Sequence, residues 1–367
     1  MTRTKNYSLK IYFVGTFPPP VHGMSFINHE LAERLKTGKR QIEIINLSFN
    51  SLTPKLTNKF ARIFVVLKGF LYFLFSLATH RKKILYISLS GGLGKIHEIL
   101  FVIAAGLFKA PVFIHHHSFL YLNKKSFLLK LIVLITPKST VHICLCSSME
   151  KELKSMYPKI NKILLLSNIQ FILPNKPPKR KNVLNTIGFL SNISKEKGII
   201  EFIETCKLLH RSQLEFNAVI AGPFVSTQIE KIVYKEVAPI AHMIKIAGPV
   251  YGNDKFEFFK SIDALLFPSH NEAEPVTIWE ALANGIPVIS TNIGCIKDMI
   301  PSTRTLVDNK EEFAKVASDL LLEWRKRPGD FIEMQELTTR YFMQKSTVNK
   351  MQLNTLQCEI RDSGVQN

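Results

Sequence analysis

Short apolar runs alternate along the chain with longer amphipathic stretches, which is the pattern of β-strands joined by helical crossovers. In the first half we predict strands at Ile11–Val14, Ile84–Ser88, Val112–His115 and His142–Leu145, and helices at Met24–Leu35 and Ile96–Phe108. Parallel strands need long crossovers, and both faces of their sheet must then be covered. The pattern therefore predicts an α/β fold with helices on both faces of a parallel sheet.

A change of composition at Asn168–Asn182 predicts a linker, because this stretch is rich in prolines and basic residues and has no periodic pattern. After it the alternation resumes. We predict strands at Val183–Leu190, Asn217–Ala221, Ile244–Ala247, Ala264–Phe267 and Pro287–Ser290, and helices at Gly198–Leu209, Pro275–Asn284 and Glu333–Cys358. A length of 367 residues also favours two domains. We expect domains at residues 1–170 and 183–345, and a helical tail at 346–367 that can return to the first domain.

The chain is strongly basic, since 48 Lys and Arg against 29 Asp and Glu give a formal charge of +19. Such a surface attracts nucleic acid, anionic lipid headgroups or a phosphorylated substrate. The apolar run Ile63–Ala78 is flanked by basic residues and is too short to span a membrane. A second basic and apolar stretch runs from Lys124 to Ile135. Both stretches fit helices lying on an anionic membrane surface, and both fit buried crossover helices.

The segment Pro268–Ser290 carries the most specific chemistry. Glu272 precedes a predicted short helix and Glu280 lies within it; we expect Pro275 at the first helical position and Gly285 as a left-handed cap. A helix N-terminus offers free N–H groups and a partial positive charge to phosphate. Carboxylates on either side accept hydrogen bonds from hydroxyls. This order suits a nucleotide-sugar, which has sugar hydroxyls, a diphosphate and ribose hydroxyls in sequence.

Two loops are further candidates for phosphate contacts. Lys197 lies directly before Gly198, where a helix is predicted to begin. A lysine at the positive end of a helix dipole is unfavourable, and a bound anion would compensate for it. In the N-terminal half, three prolines stiffen the loop Gly15–Ser25, and Gly23 allows the backbone to approach a ligand closely. The loop is not a Gly-x-Gly-x-x-Gly fingerprint, so a nicotinamide cofactor is poorly supported.

With these motifs the chain resembles retaining glycosyltransferase family 4 of the glycosyl transferases group 1, whose members have the GT-B fold of two Rossmann-like domains facing a cleft. The resemblance implies that Glu272 contacts donor-sugar hydroxyls and Glu280 the ribose. Residues Ser191–Gly198 match the family's phosphate loop. There Lys197 takes the place of the diphosphate-binding lysine, and Asn192 stands where many members carry arginine.

The resemblance extends to three further positions. Pro249 and Val250 match the turn whose backbone holds the nucleobase, and Gly23 is what remains of a Gly-Gly pair that meets the donor phosphates. His117 matches the histidine that contacts the donor sugar near the reacting carbon, where it would donate a hydrogen bond, orient the sugar or act as a general base. Pro275 departs from the family's usual glycine and cannot donate a backbone hydrogen bond.

The implied function is a retaining transfer from a nucleotide-sugar to a glycan or lipid-linked acceptor in the synthesis of bacterial O-antigen, capsule or exopolysaccharide. We expect neither metal nor cofactor, because lysine and helix dipoles neutralise the diphosphate. Three consecutive histidines on a strand cannot face one metal.

An apolar run that ends in prolines argues against a signal peptide. We expect a cytoplasmic protein, peripheral on the inner face of the membrane.

Two other classes of protein remain open at this point. One is a basic protein that binds a membrane surface or nucleic acid without transferase activity, and the other is an integral membrane protein. The sequence shows no recognition helix, zinc-finger spacing or aromatic RNA motif, so nucleic acid is not an expected partner.

Overall fold

Each half of the chain forms its own six-stranded parallel sheet in the computed structural model, which describes residues 9–36, 40–48, 56–92, 94–173, 182–213 and 215–365. Unit 1 comprises Met1–Phe171 and Asn349–Asn367, and unit 2 comprises Ile172–Val348. Helices connect parallel neighbours in both sheets. The prediction of two doubly wound α/β units is therefore confirmed.

The sheet of unit 1 has the strand order β2-β1-β3-β4-β5-β6. Its strands are β1 (Lys10–Gly15), β2 (Gln41–Asn46), β3 (Lys83–Leu89), β4 (Val112–His116), β5 (Val141–Cys144) and β6 (Lys162–Leu165). Strands β1, β4 and β5 are buried along their whole length, as expected when helices cover both faces of a sheet. This burial explains why continuous apolar runs predict them.

Among the described residues, the α-helices that lie wholly in unit 1 are α1 (Gly23–Leu35), α2 (Leu56–Thr79), α3 (Lys95–Leu107), α4 (Leu120–Asn123), α5 (Phe127–Ile135) and α6 (Ser147–Met156). Aromatic side chains attach α2 to the sheet and to α3. The ring of Phe73 lies 5.3 Å from that of Tyr12 in β1 and 5.4 Å from that of Phe101 in α3. Of the predicted linker, Asn168–Phe171 forms a 3-10 helix, and residues 174–181 lie outside the described residues.

Unit 2 repeats the architecture with the strand order β12-β11-β10-β7-β8-β9. The strands are β7 (Thr186–Leu190), β8 (Asn217–Ala221), β9 (Ile244–Gly248), β10 (Ala264–Phe267), β11 (Val288–Thr291) and β12 (Leu306–Val307). The helices are α7 (Ile199–Arg211), α8 (Thr227–Val237), α9 (Gly252–Ser261), α10 (Val276–Ala283), α11 (Ile296–Met299), α12 (Phe313–Lys326) and α13 (Pro328–Val365). Helix α13 belongs to unit 2 up to Val348, and its residues from Asn349 onward belong to unit 1. Phe189, Phe202 and Trp324 are among the buried side chains of its core.

Candidate functional site

The loops that follow β7 and β10 are in contact at the carboxyl end of the unit 2 sheet, where ligands of open α/β sheets bind. The amide of His270 donates a hydrogen bond to the carbonyl of Glu196, with 2.9 Å between N and O. Gly198 has φ +79°, and a Cβ there would lie 2.1 Å from the carbonyl oxygen of Pro268. Glycine is therefore required at this position for the two loops to approach each other.

This approach brings two predicted site residues together. Lys197 Nζ donates a hydrogen bond to Glu272 Oε1 at 2.5 Å, and Ser269 Oγ donates to the same oxygen at 2.8 Å. The side chains of Lys197 and Glu272 keep 31% and 13% of their area exposed. Lys197 and Glu272 thus form an ion pair that is partly exposed to solvent. The sequence assigns the lysine to the diphosphate and the carboxylate to the sugar. Ser194 Oγ fixes the backbone beneath it by accepting from Lys197 N.

Helix α10 begins one residue later than we predicted. Pro275 has φ −68° and ψ 122°, so it is the N-cap in extended conformation instead of the first helical residue, and the expectation for Pro275 was wrong. Its carbonyl accepts from Ile278 N at 3.2 Å. No side chain among the described residues caps the first turn, which leaves N–H groups there available to an anion. Gly285 has φ +70°, which confirms the predicted left-handed cap.

Glu280 forms an ion pair that the sequence did not reveal. Its Oε1 and Oε2 lie 2.7 Å and 2.6 Å from Lys255 Nζ in α9. Burial raises the pKa of Glu280, and the charge and the hydrogen bond of Lys255 act against that rise. The sequence contains no signal for this contact, because Lys255 looks like any lysine on the surface of a basic protein.

Backbone hydrogen bonds join the three turns that follow β7, β8 and β9. Ser191 N donates to Ala221 O at 3.2 Å, and Gly222 N donates to Gly248 O at 2.8 Å. Gly222 has φ +132°, and a Cβ there would lie 1.8 Å from the carbonyl oxygen of Ser191. The candidate residues on these hydrogen-bonded turns are accessible to different extents: Asn192 and Pro249 are exposed, and Val250 is half-buried.

The two candidates in unit 1 lie at the carboxyl ends of β1 and β4. Gly23 is exposed and begins α1, whose N-cap is His22; the His22 ring accepts from Ser25 N at 3.3 Å. His117 follows β4 directly. Burial, with a smaller contribution from the nearby His22, lowers the pKa of His117 to about 3. The imidazole of His117 is therefore neutral near pH 7 and is a weak base.

The neighbouring histidines belong to the packing of unit 1. His116 bonds the Tyr121 hydroxyl and the His142 ring, each at 3.0 Å, whereas His115 bonds the Tyr86 hydroxyl at 3.0 Å. The two sets differ because side chains alternate along a strand. Among the described residues, no three His, Cys, Asp or Glu side chains are grouped so that they could hold a metal ion.

Helices α2, α3 and α5 expose apolar stripes on unit 1, with α3 packed beside both α2 and α5. The exposed large hydrophobic side chains include Ile63, Phe64, Leu67, Leu71 and Phe75 on α2, Ile96, Leu100, Ile103 and Leu107 on α3, and Phe127, Leu134 and Ile135 on α5. Spacings of three, four or seven residues recur within each set and place it on one helix face, and the adjacent pairs Ile63–Phe64 and Leu134–Ile135 widen that face. The opposite face of α2 is buried, so it is also a packed crossover helix. Within the described ranges, no helix is both long enough and apolar enough to cross a bilayer.

Comparison with known proteins relates unit 2 to a family model and the fold to solved structures. Residues 172–336 match the family model of glycosyl transferases group 1. Over 150 residues, 40% of this chain, the sequence is 25% identical to the capsular polysaccharide biosynthesis glycosyltransferase CapM of Staphylococcus aureus, of which the match covers 39%. The chain spans less than two fifths of the length of the curated relatives it matches.

Solved structures share the fold over nearly the whole chain. HepE of Anabaena, in complex with UDP and glucose, aligns with a TM-score of 0.69 at 15% identity, covering 95% of this chain and 99% of HepE. Sucrose-phosphate synthase of Thermosynechococcus elongatus aligns with a TM-score of 0.72 at 12% identity, covering 97% of this chain and 100% of that one. The GT-B fold and the resemblance to group 1 are confirmed. Placement in family 4 remains a prediction.

Proposed function

We propose that this chain, a GT-B protein whose unit 2 matches the group 1 glycosyltransferase model, is a retaining glycosyltransferase. It moves a sugar from a nucleotide diphosphate to an acceptor hydroxyl. The observation that carries the proposal is the contact between Lys197 and Glu272 in front of α10, with Glu280 inside the same helix. This arrangement offers a cation and free N–H groups to a diphosphate, with a carboxylate on each side for hydroxyls.

The chemical roles follow from what each group can donate or accept. Lys197 and the first N–H groups of α10 stabilise the charge that develops on the departing diphosphate, which is a preorganised electrostatic role. Glu272 accepts hydrogen bonds from donor-sugar hydroxyls, and Glu280 accepts them from the ribose. These cationic and dipolar groups make a metal unnecessary in the proposed reaction. His117, neutral near pH 7, serves as a hydrogen-bond donor that orients the sugar.

Retention of the anomeric configuration is part of the proposal and follows from the family resemblance. The acceptor hydroxyl attacks the anomeric carbon from the face that the diphosphate leaves, as the bond from that carbon to the diphosphate oxygen breaks. The acceptor's proton passes to the departing phosphate oxygen. Glu272, held by Ser269 and Lys197, keeps the sugar in place during this exchange.

We further propose a lipid-linked saccharide of a bacterial surface polysaccharide as the acceptor. Support comes from the name of CapM, a capsular polysaccharide enzyme, and from the exposed apolar stripes of α2, α3 and α5. Exposed lysines such as Lys68, Lys109 and Lys130 lie on or directly beside these helices. An apolar face with basic residues suits an anionic membrane surface, where the protein would act as a peripheral enzyme on the cytoplasmic side.

The proposal is tested by a thermal-shift screen of the purified protein against UDP-, GDP-, ADP- and CDP-sugars. A ligand that binds only the folded state raises the apparent melting temperature. We expect one nucleotide class to stabilise the protein and to do so less in a Glu280→Ala variant. An absence of stabilisation by every nucleotide-sugar, at concentrations that saturate other glycosyltransferases, would contradict the proposed function.

A further inference from the structure

Lys255 is a charged residue of unit 2 that the mechanism above does not use. It lies in the first turn of α9, and its Nζ lies within 2.7 Å of both carboxylate oxygens of Glu280. The two side chains are mostly covered, with 28% of Lys255 and 20% of Glu280 exposed. A lysine that donates to one oxygen of a carboxylate and lies in ion-pair contact with the other restricts the position of that carboxylate.

We propose that Lys255 is a positioning residue for the donor nucleotide, which holds Glu280 ionised and oriented so that it accepts both ribose hydroxyls. This inference rests on the proposed function. Its geometric basis is the number of acceptor sites: the two oxygens of a carboxylate offer about four lone-pair directions. Lys255 donates a hydrogen bond to Oε1, and among the described residues the buried Oε2 accepts none, which leaves acceptor directions on both oxygens for a vicinal diol.

The electrostatic setting supports this role. Burial raises the pKa of Glu280, whereas the charge and the hydrogen bond of Lys255 lower it. The nearby Asn284 side chain donates to the backbone carbonyl of Glu280 at 2.8 Å. Without Lys255, Glu280 would take up a proton more readily, and a protonated carboxyl accepts hydrogen bonds less well.

Lys255 also connects two parts of the predicted nucleotide site. Helix α9 begins at Gly252, directly after the turn that contains Pro249 and Val250. Gly248 and Gly252 have φ +74° and +52°, so the turn depends on glycine at both ends. The bond from Lys255 to Glu280 therefore ties the helix behind the base turn to the helix that carries the ribose carboxylate.

The test is calorimetric titration of the full-length protein and its Lys255→Met variant. The ligands are UDP, GDP, ADP and CDP, followed by the 2′,3′-dideoxy form of the tightest binder. We expect Lys255→Met to weaken binding of the ribonucleotide about tenfold and to change binding of the dideoxynucleotide by less than about twofold. Lys255→Arg, which keeps the charge and can bond both oxygens, should restore most of the affinity. Lys260→Met removes a lysine from the same helix that pairs with Glu257 instead, and it should bind like wild type.

The pH dependence gives a readout that a loss of packing would not produce. Between about pH 8 and about pH 5.5, the affinity of Lys255→Met should fall more steeply than that of wild type, because its Glu280 protonates at higher pH. Melting curves of all variants confirm that they are folded.

Several results would overturn the inference. Equal losses for the ribo- and dideoxynucleotide would mean that Lys255 contacts the phosphates or only supports the fold. Tighter binding by Lys255→Met would mean that the lysine competes with ribose for Glu280. Wild-type affinity in Lys255→Met would overturn this inference and leave the proposed function standing. Failure of the wild-type protein to bind any of the four nucleotides would overturn both.

Discussion

Lys197 Nζ and Glu272 Oε1 lie 2.5 Å apart, although 75 residues separate them in the chain. The pair exists because the loops after β7 and β10 meet at neighbouring strands, with Gly198 where any side chain would collide with Pro268. Opposite charges within hydrogen-bond distance hold each other in place when no ligand is bound. In the proposed site a nucleotide-sugar replaces this contact, because its diphosphate binds the lysine and its sugar hydroxyls bind the carboxylate.

Replacement of Lys197 by methionine should weaken binding of a nucleoside diphosphate by about tenfold or more, since a charge-assisted hydrogen bond to phosphate is lost. Binding of the corresponding nucleoside should change little, because it has no phosphate. Calorimetric titration of both ligands measures the difference. Lys195→Met, in the same 3-10 turn, is the matched control. Equal losses for nucleoside and diphosphate would remove Lys197 from the phosphate site.

Loss of a carboxylate should affect binding or turnover according to its position. We expect Glu280→Ala to weaken donor binding strongly, and Glu272→Gln to reduce the rate of transfer with a smaller effect on binding. The reason is that Glu280 faces the ribose in the proposal, whereas Glu272 faces the reacting sugar. Initial rates at varied donor concentration separate KM from kcat. Glu257→Ala, on the exposed side of α9, is the control and should behave like wild type.

Gly198→Ala should destabilise unit 2 by at least about 2 kcal/mol, because a Cβ at positive φ is strained and this one would also collide with the backbone of Pro268. For a unit of this size the melting temperature should fall by at least about 4 °C. The control is Gly329→Ala in α13, where a Cβ would meet no atom within 4 Å. A melting temperature of Gly198→Ala that equals that of wild type would show that the loops can separate.

The buried histidines predict that unit 1 loses stability in mild acid. Burial lowers the pKa of His142 to about 3, as it does for His117. The unfolded chain protonates these rings near pH 6.5. Below that pH the unfolded state therefore binds more protons, and the free energy of unfolding falls as the pH drops towards 3. Each ring contributes about 1.4 kcal/mol per pH unit over this range.

Urea unfolding at several pH values checks this dependence. His142→Gln should show a shallower loss of stability between about pH 6.5 and about pH 5 than wild type. His29→Gln, which alters an exposed ring on α1, is the control for removal of a histidine as such. If His142→Gln kept the full wild-type slope, the ring would not be held neutral in the folded protein.

The exposed stripe of α2 should mediate contact with membranes. A Phe64→Ser, Leu71→Ser variant should lose most of its sedimentation with phosphatidylglycerol vesicles, because both side chains are exposed and lie on one helix face. Tyr234→Ser, an exposed aromatic position in unit 2, is the control. Salt should reduce binding of the wild-type protein, since lysines contribute to it. Sedimentation that depends neither on lipid charge nor on this stripe would contradict the membrane assignment.

The fold was predictable where burial leaves a simple pattern. The apolar runs of β1, β4 and β10 predict strands because both faces of these strands are covered. Strand β2 escaped prediction because it lies at the edge of the sheet, and its residues Gln41–Asn46 are mostly exposed or half-buried. Pro275 was placed one residue too far into α10, because its φ fits an N-cap as well as a first helical residue.

The candidate site was predictable only within short segments. Lys197, Glu272 and Glu280 each belong to a local motif that the sequence displays. Lys255 belongs to none, and its pairing with Glu280 is a side-chain contact between α9 and α10 that only the fold creates. A contact between helices that are distant in the chain leaves no mark on local periodicity or composition.

The most direct test of the central claim is a crystal structure of the protein with the nucleoside diphosphate that stabilises it most. We predict the diphosphate between Lys197 and the N-terminus of α10, and the ribose within hydrogen-bond distance of Glu280. A nucleotide bound elsewhere, with the Lys197 to Glu272 contact unchanged and the first turn of α10 empty, would contradict it.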